Sequence, residues 1–161
     1  PKFIGTSVPF FPDSFKENDS TELDTDKWSG FTTQRNTILD FIFQKKIKNI
    51  FFLSGDVHAS FYSVLYSHKQ PRHCIYNLVC SPFFWPEYKI FNAFRWQEKQ
   101  LITNQFLKDS DTYFCGKIND PDHFYNRSAY AKVAVDHQQV HFEVFNRARD
   151  QCVISASFEL F

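Results

Sequence analysis

The sequence contains no methionine and only 4 glycines among its 161 residues. It also lacks an excess of charge, because 18 lysines and arginines balance 18 aspartates and glutamates. No apolar run approaches the length of a membrane span, and no signal-peptide pattern opens the chain. With neither a basic field nor a membrane span, we expect no nucleic-acid partner and no crossing of a membrane. The missing methionine leads us to expect that residue 1 is not the start of translation.

Several catalytic and metal-binding motifs are absent as well. The cysteines form no C-x-x-C pair, which argues against a zinc knuckle or a thioredoxin-like centre. No G-x-S-x-G, P-loop or G-x-G-x-x-G motif occurs, so serine-hydrolase and nucleotide-binding folds are disfavoured. The compartment and the formation of disulfides stay open. The four cysteines are Cys74, Cys80, Cys115 and Cys152.

The sequence is instead rich in aromatic residues, which make up 19% of the chain and include 21 phenylalanines. Such a density predicts a thick, well-packed core. The most apolar stretch, residues 50–53, is typical of a parallel strand that is buried on both faces. It ends at Gly55, which we expect to let the backbone turn sharply.

The order of the predicted elements gives the fold class. A helix over 32–46, capped by Thr32 or Thr33, leads directly into the strand at 49–54, which forms an αβ unit. Its buried face is predicted from Ile38 to Phe43. Mostly antiparallel β structure follows. The strands of this part are predicted at 60–66, 73–80, 129–136, 140–145 and 152–161. Before the αβ unit, residues 2–11 are predicted to be a short strand that runs into a Pro-punctuated loop. The chain is thus mixed α/β, ends in an antiparallel meander, and shows no boundary that would divide residues 1–161.

Asp56 and His58 follow the buried strand and are the strongest candidates for a site. Open α/β sheets bind ligands beyond the carboxyl ends of their strands. In extended backbone, residues two apart point the same way, so both side chains would flank Val57, which would point into the protein. Carboxylate and imidazole are common metal ligands. The alternative is a capped turn in which Asp56 bonds its own backbone and His58 fills space.

Other polar groups are less persuasive. His73, His137 and His141 have no acidic partner at ligand spacing, so we expect them to be structural or exposed. The Asn/Asp cluster at 119–122 lacks the glycine and glutamate of an EF-hand loop. We interpret the charged segment 12–27 as a solvated loop and the aromatic segment 83–110 as an excursion that packs over the sheet, with a substrate-lining role as its alternative.

Three motifs occur in one order: a Trp-Ser-Gly-Phe turn at 28–31, an arginine-bearing helix that begins near Gln34 and Arg35, and Ser-Gly-Asp-Val-His at 54–58. This order resembles the C-terminal half of the PhoD-like (alkaline phosphatase D) metallophosphoesterases. The strand at 6–9 and the Ser-Pro break at 81–82 are similar too. The resemblance covers most of residues 1–100, whereas residues 100–161 match only in their β character.

The resemblance implies a four-layer α/β/β/α sandwich, of which this chain would be the C-terminal part, and hydrolysis of phosphate mono- or diesters. It implies two metal ions, iron plus calcium or another divalent cation. Asp56 would ligate the calcium-like site and His58 the iron-like site. Arg35 would brace the helix through a salt bridge. Trp28 would border the substrate, although packing is its simpler role.

The chain departs from the family pattern because the ligands of the N-terminal half have no counterpart in it. Two ligands cannot hold a two-metal centre, since each ion needs three or four. We therefore expect the N-terminal half of the same protein to be a partner, and we expect this part alone to be inactive. The competing hypothesis is a non-enzymatic β-rich interaction module, or a degenerate phosphoesterase, that binds through exposed aromatics at 83–96.

Overall fold

The computed structural model describes residues 1–11, 28–80, 83, 113–115 and 124–161. These residues form one α-helix, one 3-10 helix and two β-sheets. The predictions for 12–27, for 84–110 and for the cluster at 119–122 lie outside the described residues. The elements are β1 Lys2–Gly5, the 3-10 helix Trp28–Gly30, α1 Thr32–Gln44, β2 Ile50–Ser54, β3 Ser60–Ser67, β4 Gln70–Val79, β5 Tyr113–Cys115, β6 Phe124–Tyr125, β7 Ala129–Val135, β8 Gln139–Asn146 and β9 Gln151–Glu159.

Helix α1 confirms the predicted helix but not its cap or the full extent of its buried face. The N-cap residue is Phe31, and no side chain caps the helix by a hydrogen bond. The Thr32 or Thr33 cap was therefore wrong. Leu39, Ile42 and Phe43 are buried as expected, whereas Phe41 is 56% exposed. Because Phe41 lies two residues from Phe43, a 100° step per residue turns it away from the sheet.

The first sheet is mixed and has the strand order β1-β2-β4-β3-β5, with β6 also pairing with β3. Its strands β1, β2 and β4 run parallel, with Lys2 opposite Ile50 and Ile50 opposite Ile75. Strands β3 and β4 form an antiparallel hairpin, as the sequence predicted. Since β1, β2 and β4 are parallel, their carboxyl ends meet at one edge of the sheet.

The second sheet is an antiparallel meander with the order β7-β8-β9. Tyr130 pairs with Phe145, and Val144 pairs with Ile154, just before a register shift in β8. Consecutive strands are joined by short turns, and residues of β8 alternate between buried and half-buried. The meander predicted over the last third of the chain is therefore confirmed.

The described elements stack in three layers: helix, mixed sheet and antiparallel sheet. Leu39, Ile42 and Phe43 of α1 pack on Phe52 and Ile75, which lie on one face of the mixed sheet. The other face carries Phe51 and Leu78, which pack on a set of residues from the antiparallel sheet. That set is Val140, Phe142, Val144, Ile154 and Phe158. Strand β2 is thus buried on both faces, and the mixed α/β class is confirmed.

Strand β1 forms an end of the mixed sheet and is exposed along its whole length. Phe3 and Ile4 keep 40% and 37% of their surface in contact with solvent, although they alternate between the two faces of the strand. Among the described residues, β1 pairs only with β2. No helix within the described part of the chain is long and apolar enough to cross a membrane.

Candidate metal centre

The candidate site lies at the edge of the mixed sheet where β1, β2 and β4 end. Thr6 follows β1 and donates its N–H to Leu53 O at 3.0 Å, which extends the ladder beyond the strand. Cys80 follows β4 and donates its N–H to Ser54 O, also at 3.0 Å. These two bonds hold the end of β2 between its neighbours. Residues 55–58, which follow β2, are therefore attached to a strand end whose position is held by hydrogen bonds on both sides.

Residues 55–58 form a tight turn rather than an extended strand. Val57 N–H donates to Gly55 O at 2.9 Å, which closes a γ-turn centred on Asp56. The φ angle of Asp56 is 68°, as in the rarer and strained form of this turn, and that of His58 is 55°. The prediction that Gly55 supplies the unusual backbone was wrong, since no described glycine has a positive φ.

The strain falls on the two residues that carry ligand-type side chains. A left-handed conformation costs a residue with a Cβ atom about 1–2 kcal/mol, although aspartate and histidine tolerate it better than most. Such strain persists only where the surroundings impose it, and it concentrates at functional sites. Asp56 and His58 do not lie in extended backbone, so the expectation that they point the same way for that reason was wrong. The strained turn nevertheless favours a functional site over a simple capped turn.

The turn separates exposed from buried groups. Asp56 is exposed and His58 is half-buried. Val57 packs against the cluster of Ala59, Phe61 and Val79, as predicted for the residue between the two candidates. The apolar anchor in the middle of the turn thus keeps Asp56 at the surface of the crevice.

A buried polar network lies beneath the turn, and sequence reasoning missed it. Asn77 of β4 is 0% exposed, and its Nδ2 donates to Phe11 O at 2.8 Å. Ser54 Oγ donates to Asn77 Oδ1 at 3.2 Å, and Ser63 Oγ donates to Phe11 O at 3.2 Å. The network links the end of β2 to the segment after β1. The signal in the sequence was a single asparagine in the apolar strand 73–80.

Trp28 is tied to the same edge of the sheet. Its Nε1 donates to Thr6 Oγ1 at 3.0 Å, and Thr6 Oγ1 donates to Val8 O at 3.0 Å. Its ring meets Phe10 edge-on, with ring centroids 4.7 Å apart. Trp28 thus has a packing role, and its half-buried side chain also lies beside the strand end that leads to the crevice.

Cys80 is at the carboxyl end of β4, next to Ser54. Burial raises the pKa of its thiol, and the hydrogen bond from Ser60 Oγ, 3.5 Å from Sγ, only partly opposes this. The neutral thiol is therefore favoured, and a thiol is a weaker ligand than a thiolate. Cys74, Cys80 and Cys152 are free cysteines.

Asp56 and His58 fit part of a metal site by their chemistry. A carboxylate oxygen suits a hard cation, and an imidazole nitrogen suits a transition metal. The described residues contain no group of three or more His, Cys, Asp or Glu side chains that could hold a metal ion. The two residues therefore fit as two ligands of a larger set.

One of the remaining histidines has an acidic partner after all. His141 Nε2 lies 2.8 Å from Asp136 Oδ2, and its Nδ1 lies 2.9 Å from Ser157 Oγ. The expectation that His141 lacks such a partner was wrong, because the hairpin between β7 and β8 folds residue 136 back toward 141. The three side chains lie on the solvent side of the antiparallel sheet.

The chain is a mixed α/β protein whose parallel core carries carboxylate and imidazole side chains in a turn at its carboxyl edge, which is where open α/β sheets bind ligands. The sequence model of the PhoD-like phosphatase family matches residues 2–144. The chain belongs to that family.

A named relative supports this assignment. The chain is 32% identical over 88 residues to a Bacillus subtilis (strain 168) protein named alkaline phosphatase D. The aligned part covers 53% of this chain and 14% of the relative. The chain thus spans a small part of the length of the curated relative that it matches. No solved structure matches it significantly.

Proposed function

We propose that this chain is part of a metal-dependent phosphoric ester hydrolase, in which Asp56 and His58 are ligands of two metal ions. The observation that carries the proposal is the turn at 55–58. It places two ligand-type side chains at positive φ on the edge where an α/β sheet binds ligands. Membership of a phosphatase family supplies the class of reaction.

The two residues divide the work by their donor atoms. The Asp56 carboxylate would hold calcium or another divalent cation, and the His58 imidazole would hold iron or another transition metal. When bound, such a pair of ions polarises the phosphate oxygens and acidifies the water that attacks phosphorus in line with the leaving oxygen. The chain itself contributes rigidity, since Val57 is anchored in the core and Ser54 is held by Asn77.

The remaining ligands would come from another part of the same polypeptide, the N-terminal half that the family resemblance implies. Two observations support this. The matched region covers only 14% of the relative's length, and β1 leaves Phe3 and Ile4 exposed at the end of the mixed sheet. A further segment that covered β1 would bring its own residues to the carboxyl edge.

Trp28 would border the substrate from the side of β1. Its Nε1 donates a hydrogen bond to Thr6 Oγ1 and its ring packs edge-on against Phe10, so the position of the indole is fixed before any ligand binds. A fixed indole can shield one side of a phosphate ester from solvent. The substrate would be a phosphate mono- or diester, whose organic groups other parts of the protein would select.

The test is to replace His58 in the full-length protein and to measure both turnover and bound metal. In His58→Ala we expect hydrolysis of bis-nitrophenyl phosphate to fall at least about a hundredfold, because loss of an outer-shell partner alone typically costs 10–100-fold. Metal content, measured by mass spectrometry on the folded protein, should fall as well. The matched control is His137→Ala, which removes an exposed imidazole from a hairpin turn.

Two outcomes would contradict the proposal. Unchanged turnover and metal content in His58→Ala would remove His58 from the site. A full-length wild-type protein that binds no metal and hydrolyses no phosphate ester would instead support the degenerate or interaction-module hypothesis. If residues 1–161 alone bound two metal ions and turned over the substrate, the proposal that other ligands come from elsewhere in the polypeptide would fail.

A further inference from the structure

A cavity lies at the opposite end of strand β2 from Asp56 and His58. It has a volume of about 480 Å³ and opens where the mixed sheet meets the end of the chain after β9. Lys48 and Asn49, which precede β2, and Cys74 and Tyr76 of β4 line it together with Phe161. Cavities of this size hold small organic molecules. None of the residues that line this cavity has a role in the proposed hydrolysis.

Two cationic side chains line the cavity, those of Lys48 and Arg72, and none of its lining residues is an aspartate or a glutamate. The charge of Glu159 lies close enough to Tyr76 to raise the pKa of its hydroxyl, and Glu159 Oε1 accepts a hydrogen bond from Gln139 Nε2 at 2.6 Å. An arginine guanidinium can bind a carboxylate, sulfonate or phosphate with two parallel hydrogen bonds, and a lysine adds a mobile charge.

The body of the cavity is aromatic and neutral. Tyr76 and Phe161 contribute rings, and Cys74 Sγ donates to Tyr76 Oη at 3.1 Å. Burial raises the pKa of the Tyr76 hydroxyl, as does the hydrogen bond with Cys74, so Tyr76 adds no negative charge. The Tyr76 ring packs on Phe51 and Phe158, so a ligand with a flat apolar body would contact the exposed Phe161 ring and the hydroxyl end of Tyr76 while its anionic group reached the two cations.

The wall formed by Phe161 is held in place before any ligand binds. Asn49 Nδ2 donates to Phe161 O at 3.0 Å, and Phe161 N–H donates to Asn49 Oδ1 at 3.1 Å. The φ angle of Asn49 is 60°, a left-handed conformation that these two bonds help to maintain. The Phe161 side chain nevertheless stays 72% exposed. A fixed but exposed aromatic wall lowers the entropic cost of binding.

We propose that this cavity is a binding site for a small organic anion, namely an aromatic-sized molecule that carries a carboxylate, sulfonate or phosphate group. The site is separate from the crevice of Asp56 and His58, because the whole of β2 lies between Asn49 and Asp56. The proposal is independent of the proposed hydrolysis. It requires only that the cations, the rings and the thiol face the same cavity.

The experiment uses the full-length protein and the dye anilinonaphthalene sulfonate as a probe. Fluorescence measures binding, and peptide mapping after iodoacetamide treatment measures the alkylation rate of each cysteine. With the dye at ten times its dissociation constant, alkylation of Cys74 should slow by about tenfold through mass action. Alkylation of the exposed Cys152 should not change, which provides an internal control.

Variants test the role of charge. In Arg72→Ala the dissociation constant should rise roughly tenfold, as expected for the loss of a charge-assisted hydrogen bond, and Lys48→Ala should show a smaller rise. Both side chains belong to exposed residues, so folding should be retained. Lys132→Ala removes an exposed cation from β7 and should bind the dye like the wild type. The uncharged analogue phenylnaphthylamine should bind more weakly than the sulfonate.

Dye fluorescence without protection of Cys74 would place the dye elsewhere and overturn the proposal. Equal affinity in Arg72→Ala and Lys132→Ala would do so too, as would equal binding of the uncharged analogue. His58→Ala should leave dye binding unchanged. A loss of turnover and a loss of dye binding are therefore separate results.

Discussion

The two sheets of this protein obtain their order in different ways. The antiparallel sheet pairs only strands that follow one another in the chain, from β7 to β9. The mixed sheet places Lys2 beside Ile50 and Ile50 beside Ile75, so its parallel core depends on segments that are distant in sequence. Contacts of this second kind cost more loop entropy before they stabilise the fold.

The two sheets also differ in what they bury and where they are strained. The antiparallel sheet contributes only apolar side chains to the core between the sheets, and its polar pairs lie at the surface. The mixed sheet buries Asn77 and Ser63 and ends in a turn with two left-handed non-glycine residues, whereas the antiparallel sheet has one such residue, Asp150, in the turn before β9. The mixed sheet therefore combines buried polar groups with a strained turn at the proposed site, whereas the core side of the antiparallel sheet is apolar. Three changes test this contrast.

The largest effect is expected from Asn77→Ala. It removes one buried and one partly buried hydrogen bond, so the free energy of unfolding should fall by about 1–3 kcal/mol, and the end of β2 should loosen. Ser63→Ala should cost less, because Asn77 still donates to Phe11 O. Chemical denaturation of both single variants and of the double variant in the full-length protein measures the coupling.

We expect the losses in free energy of unfolding from Asn77→Ala and Ser63→Ala not to add up in the double variant, since both side chains donate to the same carbonyl oxygen. If the two losses in unfolding free energy simply add, the hydrogen bonds of Asn77 and Ser63 form independently. The buried polar groups of the mixed sheet would then be no more cooperative than the surface pairs of the antiparallel sheet.

A smaller effect is expected at the turn. Asp56→Gly should be more stable than Asp56→Ala by about 1 kcal/mol, because only glycine adopts positive φ without steric cost. The matched pair in the antiparallel sheet is Asp150→Gly and Asp150→Ala, since Asp150 has a φ of 53° in the turn before β9. Thermal unfolding of the four variants gives the two differences.

The contrast between the sheets would be sharpened if metal content fell only in the two Asp56 variants. If Asp56→Gly were no more stable than Asp56→Ala, the φ of Asp56 would not be a source of strain.

The smallest effect concerns pH at the β7–β8 hairpin. The hydrogen bond from His141, and those from the N–H groups of Gln138 and Gln139, lower the pKa of Asp136 from 3.8 to about 2. Because the folded pKa is the lower one, this contribution to stability is present above about pH 4. It is lost as the pH falls through about 2.

We expect the stability difference between the wild type and Asp136→Asn to shrink from about pH 5 to about pH 2. Thermal unfolding across that range measures it. Glu143→Gln, which alters another acid of the same sheet, is the control. A difference that stayed constant with pH would show that the Asp136 carboxylate does not stabilise the hairpin.

Much of the fold was predictable because its signals are local. Alternation gave the three strands of the meander, and the apolar run at 50–53 gave the strand buried on both faces. The site was harder. Asp56 and His58 were proposed as candidates from their place after that strand, but the γ-turn centred on Asp56 was not predicted, since Gly55 was the obvious residue for a sharp turn. The end of β2, from which the turn starts, is held by the bonds from Thr6 to Leu53 and from Cys80 to Ser54, and those bonds are non-local.

Asn77 and Asp136 both have hydrogen-bond partners that the sequence alone did not reveal. A lone asparagine in an apolar strand is visible in the sequence, but its partner Phe11 lies 66 residues away. Asp136 and His141 are five residues apart, a spacing that brings side chains together only when a hairpin turn lies between them. Hydrogen bonds that form only once the strands and turns are folded could not be predicted from the spacing of residues in the sequence.

The exposed strand β1 has a practical consequence for anyone who handles this chain in isolation. A strand at the end of a sheet presents free N–H and C=O groups, and these act as a template for another chain. Phe3 and Ile4 add apolar surface there, and Lys2 is the one charged side chain on the strand. Self-association of purified residues 1–161 would begin at this strand. A second lysine in place of Phe3 is the substitution that would keep the isolated chain dispersed.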